Sequence, residues 1–283
     1  MSASKPATTG DFRDGGSESV VGRGHGRAAI ELGLIGALWK RDLLRLSKER
    51  SRWIGVAAQP LLLWLLLGSG MASTFQIAGS DVDYLNYFFP GVCAMVVLFT
   101  TIFATMAVIE DRREGFLQQV LVSPGSRLSM VVGKCCGVTT VALLQVLLCV
   151  LVAPAAGYDL ASIHWPMLLA ATVLGGVGLT GLSFMFAWVI NSTHGYHALM
   201  AMVLLPLWLV SGAMFPVSGG WLGAINDVNP MSYVVDALRH ALEGGQCALA
   251  SSEPVVALVF LGGFAFIAPL GASWIASSYR KGV

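Results

Sequence analysis

The sequence predicts an all-α, polytopic membrane protein with six transmembrane helices. Of its 283 residues, 55% are hydrophobic and only 12% are charged, whereas a soluble domain carries about 25% charged residues. The apolar residues form runs of about 20, the length that a helix needs to cross a bilayer. Lysine and arginine gather beside alternate runs, a bias that indicates orientation. The net charge of +1 gives no indication of nucleic-acid binding.

The N-terminal part precedes the spans. Residues 1–27 are rich in Ser, Gly and Thr without an apolar run, which predicts a disordered cytosolic tail rather than a signal peptide. Residues 28–283 are predicted to form one transmembrane domain, opening with an interfacial helix over 28–52. Its apolar face is Leu32, Ile35, Trp39, Leu43 and Leu46, and its basic face is Arg41, Arg45, Lys48 and Arg52. The basic face is expected to meet anionic headgroups while the helix anchors the first span.

Six apolar runs follow this helix. The predicted spans are residues 53–73, 87–109, 130–154, 166–190, 198–215 and 254–276. Proline or glutamine inside such a run is tolerated where neighbouring helices satisfy the backbone.

Basic residues set the predicted orientation, with both termini cytosolic. The residues on the predicted cytosolic side are Lys40, Arg41, Arg45, Lys48, Arg50, Arg52, Arg112, Arg113, Arg127, Lys134, Arg280 and Lys281. The predicted outer loops contain one basic residue, Arg239, beside Asp81, Asp83, Asp159, Asp227, Asp236, Glu243 and Glu253. Inverting the protein would violate the positive-inside rule at nearly every loop.

A charged amphipathic segment, residues 110–125, lies between the second and third spans. Its apolar residues Phe116, Leu117, Val120 and Leu121 share one helical face, and Ser123-Pro124 ends the helix. An apolar helical face on the cytosolic side favours docking in a groove of a soluble partner. A helix resting on lipid headgroups is the equally simple alternative.

The predicted outer segment 216–245 contains two short helices. Phe215-Pro216 and Asn229-Pro230 break the chain, and Asp236 and Arg239 are spaced for ion pairing on the second helix. This pattern predicts a re-entrant hairpin, which is allowed where the backbone is buried in protein or lines a cavity. A helical hairpin on the bilayer surface is the alternative.

Two motifs together resemble the permease subunits of type-2 ATP-binding-cassette (ABC) transporters, of the daunorubicin-resistance-like and nodulation-export-like branches. The first motif is Glu110, Arg113-Glu114-Gly115, Leu121 and Ser123-Pro124, followed by Gly133-Lys134. The second is Ser211-Gly212-Ala213-Met214-Phe215-Pro216, Trp221-Leu222, Asn229-Pro230, Tyr233, Asp236 and Arg239. One departure is Gly219-Gly220, where many members have a proline. The resemblance covers residues 30–280.

The resemblance implies a working transporter of two permeases, identical or paralogous, and two ATPase subunits in a bacterial inner membrane. It implies that a cytosolic coupling helix enters a cleft of the ATPase and that the outer hairpin closes the exit. The residues so assigned to ATPase coupling are Glu110, Arg113, Glu114, Phe116, Leu117 and Val120. Those assigned to the outer gate are Phe215, Pro216, Asn229, Pro230, Asp236 and Arg239.

No cofactor or metal is expected in this chain, and ATP and magnesium would bind to the partner ATPase. The sequence has no G-x-x-x-x-G-K-[ST] loop. The five cysteines, Cys93, Cys135, Cys136, Cys149 and Cys247, are scattered, and His194 and His197 lack a third ligand. The glycines of Gly175-Gly176-Val177-Gly178 are expected to allow close helix packing.

An ATP-driven exporter subunit is the favoured function, and an intramembrane lipid-modifying enzyme using Ser183, His194 or His197 is the alternative from another class. Proton-driven transport needs ionisable residues inside the membrane, and the middles of the spans contain none. The candidate pathway residues are Gln59, Phe99, Thr101 and Phe103. A pathway lined by such apolar spans favours a lipid-like or amphipathic, drug-type substrate. Export of a polysaccharide or lipo-oligosaccharide by the same fold is the alternative.

Overall fold

The computed structural model describes residues 20–48, 50–71, 82–113, 126–190, 192–217 and 219–278. Within these ranges the chain forms nine α-helices and one short 3-10 helix, and no strand. The α-helices are α1 (Val20–Lys48), α2 (Arg50–Met71), α3 (Tyr84–Arg113), α4 (Arg127–Val150), α5 (Trp165–Val189), α6 (Thr193–Leu209), α7 (Gly220–Val228), α8 (Pro230–Leu242) and α9 (Pro254–Ser278). The 3-10 helix is Ala153–Ala156.

The protein is a multi-pass membrane protein. Four helices, α3, α4, α5 and α9, are long and apolar enough to cross a bilayer, and each lies within a few residues of a predicted span. The apolar part of α2, Gly55–Met71, is shorter than these four, and α6 has 17 residues. The count of six spans therefore stays a prediction.

Two boundaries differ from the sequence prediction. Helix α1 begins at Val20, so the backbone of residues 20–27, assigned above to the disordered tail, is helical. No proline lies between Val20 and Lys48 to stop the helix. Helix α6 ends at Leu209 rather than near Phe215, because Gly212 takes a left-handed φ of 75° that a helix cannot contain.

Helices α2 and α6 each contact the bundle along one stripe. The buried residues of α2 within its described side chains are Val56, Pro60, Trp64 and Gly68, and those of α6 are Tyr196, Met200, Leu204 and Trp208. A spacing of four places each set on one face. Trp64 Nε1 donates to Leu85 O at 2.8 Å and Trp208 Nε1 donates to Gly91 O at 2.9 Å, so both stripes are fastened to α3.

Helix α3 is the central helix, and Pro90 interrupts its hydrogen bonding. Proline has no N–H, so Asn86 O loses the donor that a regular helix would supply. Tyr158 Oη replaces that donor at 2.9 Å. The oxygens on either side also accept side-chain donors, Leu85 O from Trp64 and Tyr87 O from Arg239.

Glycines bring α5 close to its neighbours, which confirms the packing interpretation of the Gly175–Gly178 patch. A Cβ atom at Gly175 would lie 2.9 Å from Val234 Cγ2 of α8, and one at Gly176 would lie 3.1 Å from Thr139 of α4. One turn further on, a Cβ atom at Gly181 would lie 2.7 Å from the backbone of Ala268 in α9. Small residues at such contacts let helix backbones approach within a membrane.

Candidate functional site

The segment assigned to ATPase coupling starts where α3 ends. Glu110 and Arg113 occupy the last turn of α3, and the Arg113 side chain is exposed. The other four assigned residues, Glu114, Phe116, Leu117 and Val120, lie outside the described residues. The structure therefore describes the C-terminal end of α3, where the segment begins, and the contacts that hold this end in place.

Acidic groups at the end of α3 bind arginines of α1. Asp111 Oδ1 accepts from Arg45 Nη1 at 3.3 Å, and Asp111 Oδ2 accepts from Arg41 Nη2. Arg45 Nη2 also donates to Glu110 Oε2 at 3.0 Å. Arg41 and Arg45 thus bind acidic side chains of α3, and the contact of the basic face of α1 with lipid headgroups stays a prediction.

Lys134 of α4 completes this arrangement. Its Nζ atom donates to Asp42 Oδ1 of α1 at 3.1 Å and to Asp111 Oδ2 of α3 at 3.4 Å. The side chains of Lys134, Asp42 and Asp111 are 5%, 9% and 6% exposed, so each charge is buried beside an opposite one. We call the following set the charge cluster: Arg41, Asp42, Arg45, Glu110, Asp111 and Lys134.

Two glycines of α4 allow α1 to approach α4 closely beside the charge cluster. A Cβ atom at Gly133 would lie 3.1 Å from Ile35 Cα, and one at Gly137 would lie 3.1 Å from Asp42 Cβ. This four-residue spacing forms a shallow groove on α4. Leu38 of α1 lies in the same contact, 5% exposed. The groove positions Asp42 within reach of Lys134, a pairing that sequence reasoning missed because 92 residues separate the two.

The two helices of segment 216–245 have opposite environments. Eleven of the 13 residues of α8 are buried, whereas α7 exposes Trp221 at 73% and Val228 at 71%. Asn229, between them, is buried and caps α8 by accepting from Met231 N at 3.0 Å. Residue 218 lies outside the described residues, and the re-entrant character of the hairpin stays a prediction.

Arg239 of α8 is 2% exposed and binds mainly to backbone carbonyls. Its guanidinium donates to Leu249 O at 3.2 Å, Gly212 O at 3.2 Å and Tyr87 O at 3.5 Å. It also lies 4.5 Å from the centre of the Tyr87 ring, a cation–π distance. The pair with Asp236 is present at 3.7 Å. Arg239 thus joins α8 to α3, to the end of α6 and to the loop before α9.

Asp236 fastens the loop before α9. Its carboxylate accepts from Ser251 N at 3.2 Å, Ser252 N at 3.0 Å and Ser252 Oγ at 2.8 Å. His240, one turn along α8, accepts at Nδ1 from Cys247 N at 2.8 Å. Its Nε2 atom is then the donor to Ser252 O, also at 2.8 Å. These loop residues border an open cavity of about 420 Å³.

The remaining residues assigned to the gate and the pathway are dispersed. Phe215 is 46% exposed, Pro216 is exposed and Pro230 is the first residue of α8. Gln59 is exposed on α2, whereas Thr101 is fully buried and donates to Leu98 O within α3 at 2.7 Å. These residues do not form one lining within a single chain.

Two of the candidate pathway residues do meet. Phe99 and Phe103 contact edge-on with ring centres 6.3 Å apart, and His197 of α6 lies 5.3 Å from Phe103. Ser183 Oγ is fully buried and pairs with neither His194 nor His197, so neither histidine is placed as the base that the enzyme alternative requires. The described residues contain no group of three or more His, Cys, Asp or Glu side chains that could hold a metal.

Known proteins resemble the chain over most of its length. The family model described as ABC-2 type transporter matches residues 33–242. The transport permease ycf38 of Cyanophora paradoxa is 27% identical over 214 residues, covering 71% of each protein. Nodulation protein J of Rhizobium meliloti (strain 1021) is 28% identical over 224 residues, covering 74% of this chain and 80% of its own.

A further relative carries an ABC transporter name. It is YbhR of Escherichia coli (strain K12), named as a multidrug ABC transporter permease. It is 25% identical over 168 residues, covering 56% of this chain and 44% of its own length. The matched region of the family model includes the charge cluster, the 110–125 segment and α8.

Proposed function

Because the chain belongs to the ABC-2 type transporter family, whose model matches residues 33–242, we propose that it is the permease subunit of an ATP-driven exporter. A separate ABC ATPase subunit would bind and hydrolyse ATP with magnesium. The observation that carries this proposal is the family match across both the charge cluster and α8. The named transport permeases among the relatives support it.

The proposed assembly has two permeases, either identical or paralogous, and two ATPases in a bacterial inner membrane. The one-sided packing of α2 and α6 supports this assembly. Gln59 and His197 are exposed on those helices, and polar groups within membrane helices usually face protein or a water-filled cavity. A second permease would cover these faces and enclose the pathway between the two copies. The bias of basic residues supports cytosolic termini.

A lipid-like or amphipathic organic molecule is the proposed substrate class. The exposed faces of the helices are apolar, and the Phe99 and Phe103 rings sit beside an imidazole that can meet a polar group. Such a surface suits a molecule with an apolar body and a small polar end. Purified transporter in proteoliposomes should show ATPase stimulation by lipids or amphipathic drugs. Stronger stimulation by a hydrophilic glycan would instead support polysaccharide export.

The decisive experiment replaces the apolar face of the coupling segment. Phe116→Asp with Leu117→Asp should reduce co-purification of the ATPase subunit or separate ATP hydrolysis from transport, because a charge facing an apolar groove is left desolvated. Gln118→Asp with Gln119→Asp is the matched control, since it adds the same charge at polar positions of the segment. Unchanged assembly and efflux in the first variant would contradict docking by this face.

A further inference from the structure

The charge cluster joins three helices at the point where the coupling segment begins. Arg41, Asp42 and Arg45 belong to α1, Glu110 and Asp111 to α3, and Lys134 to α4. Three basic and three acidic groups oppose one another, so their formal charges cancel. Burial of such charges is tolerated only while every one keeps its partners.

The charge cluster has a buried centre and an exposed rim. The centre consists of Asp42, Asp111 and Lys134, none of whose side chains is more than 9% exposed. At the rim, the side chains of Arg45 and Glu110 are 33% and 39% exposed. Lys134 is the member through which α4 holds α1 and α3, with one hydrogen bond to each.

The contacts around the centre are close and apolar. α1 lies in the Gly133–Gly137 groove, and Leu38 packs with Val108 of α3 and Val131 of α4 in one buried apolar group. A helix held by both an apolar groove and a buried ion pair has little freedom to slide, because a shift would separate Lys134 from Asp42. The end of α3 is under the same constraint through Asp111.

From this geometry we propose that Lys134 is a positioning residue in the coupling of ATP hydrolysis to transport. It makes α1 and the start of the coupling segment, residues 110–125, move as one body. This inference rests on the proposed function, because the moving force would come from the ATPase docked on residues 110–125. Displacement of the α3 end would pull Asp111, and α1 would follow through the direct pairs of Arg41 and Arg45 with Asp111. At the buried centre it would also follow through Lys134 and Asp42, which fix the displacement of both helices against α4. The N-terminal helix would thus be a working part of the cycle as well as an anchor.

The test measures transport per ATP hydrolysed in reconstituted complex of the full chain and its ATPase. Lys134→Met should lower this ratio about fivefold or more, the lower range of coupling between sites, while ATPase binding is retained. Lys40→Met is the matched control, since Lys40 is an exposed cation on the same helix as Asp42. A merely structural role would reduce the amount of folded complex and leave the ratio unchanged.

A second measurement keeps the proposal testable if Lys134→Met fails to fold. Asp42→Asn removes only the α1 side of the bridge, and Lys134 keeps Asp111. Hydrogen exchange across residues 30–45 should then speed up about tenfold or more, as local opening becomes easier, and Lys40→Met should leave it unchanged. Unchanged exchange would overturn the bridge. Faster exchange with an unchanged transport ratio would overturn the coupling role alone.

These outcomes are separable from failure of the proposed function. If the wild-type complex showed no ATP-driven transport, the exporter assignment would fail, whereas the exchange experiment would still report whether Lys134 holds α1.

Discussion

The charge cluster and the Arg239 site both bury charges between helices, but they neutralise those charges differently. In the cluster, each charged side chain faces side chains of opposite charge on another helix. At Arg239, the cation faces three backbone carbonyl oxygens and an aromatic ring, and Asp236 faces N–H and hydroxyl groups of a loop. The ion pair between Arg239 and Asp236 is only one contact among these.

This difference predicts where a second substitution can restore the stability that a first one removes. A buried charge left by deleting its partner can be neutralised when that charge is itself a side chain. Carbonyl oxygens and loop N–H groups belong to the backbone and cannot be deleted. We therefore expect paired substitutions to compensate in the charge cluster and to fail at Arg239.

The largest expected effect is that of Arg239→Ala. It removes three carbonyl contacts and the ion pair with Asp236 from a buried site, so the free energy of unfolding should fall by about 3–5 kcal/mol. Efflux should be lost while the ATPase subunit still co-purifies, because the charge cluster lies on other helices. Arg239→Lys should rescue little, since lysine cannot present the planar fork of arginine. Normal efflux by Arg239→Ala would mean that packing alone holds the hairpin.

The next largest effect is expected in two double-mutant cycles, one in the charge cluster and one at Arg239, measured by thermal unfolding. Lys134→Met alone should cost about 3 kcal/mol, and adding Asp42→Asn should recover at least about 1 kcal/mol of it. Adding Asp236→Asn to Arg239→Met should recover nothing, because the three carbonyls stay unpaired and the loop donors lose one of the two oxygens that accept from them. Recovery of stability in both double variants would mean that the charge cluster and the Arg239 site neutralise their charges in the same way.

A pH-dependent effect, small for each pH unit, concerns Cys247 in the loop that Asp236 and His240 hold. Burial, with a contribution from Glu243, raises the pKa of the Cys247 thiol from 9.0 to about 12. The Cys247 thiol keeps its proton to a higher pH in the folded loop than in the unfolded one. Its contribution to the stability of the loop is therefore complete below pH 9 and is lost as the pH rises from 9 toward 12. The slope should be at most about 1.4 kcal/mol per pH unit.

Hydrogen exchange of residues 246–252, corrected for the intrinsic effect of pH, measures that slope. Cys247→Ser is the control and should flatten it. An equal slope in the serine variant would assign the pH dependence to another group.

The smallest effect is expected at the rim of the charge cluster. Glu110→Gln should change the unfolding free energy of the isolated subunit by less than about 1 kcal/mol, because the pair with Arg45 is one-third exposed on both sides. High salt should reduce the difference between variant and wild type further. A loss as large as that from Lys134→Met would show that the rim is as tightly buried as the centre.

Sequence reasoning found the elements that depend on local pattern. The long spans α3, α4, α5 and α9 lie within a few residues of their predicted bounds, and α8 begins at the predicted break Asn229-Pro230. Hydrophobic length and proline position can both be read from consecutive residues. The Gly175–Gly178 packing was likewise visible, since a glycine patch inside a span has few other uses.

The charge cluster escaped sequence reasoning because its partners are remote. Arg41 was assigned to the basic face of the interfacial helix, Lys134 was used for orientation and in the first motif, and Asp42 and Asp111 were given no role. Periodicity shows which residues share a face but not which helix covers that face. For α8 the same limit applied: Asp236 and Arg239 were assigned to each other from their spacing, whereas most of their partners come from α3, the turn after α6 and the loop at 247–252.

Pro90 shows how a missing bond in one helix organises several others. In a regular helix each carbonyl oxygen already accepts an N–H, so a neighbouring side chain can bind it only as a second donor. Here the open oxygen of Asn86 receives Tyr158, and the oxygen of Tyr87 next to it receives Arg239. Main chain thus serves as a recognition surface, and it cannot drift by substitution as a side chain can. Pro90→Ala would supply a backbone donor that competes with Tyr158 for the oxygen of Asn86, so a change that improves one helix would loosen the contact attached to it.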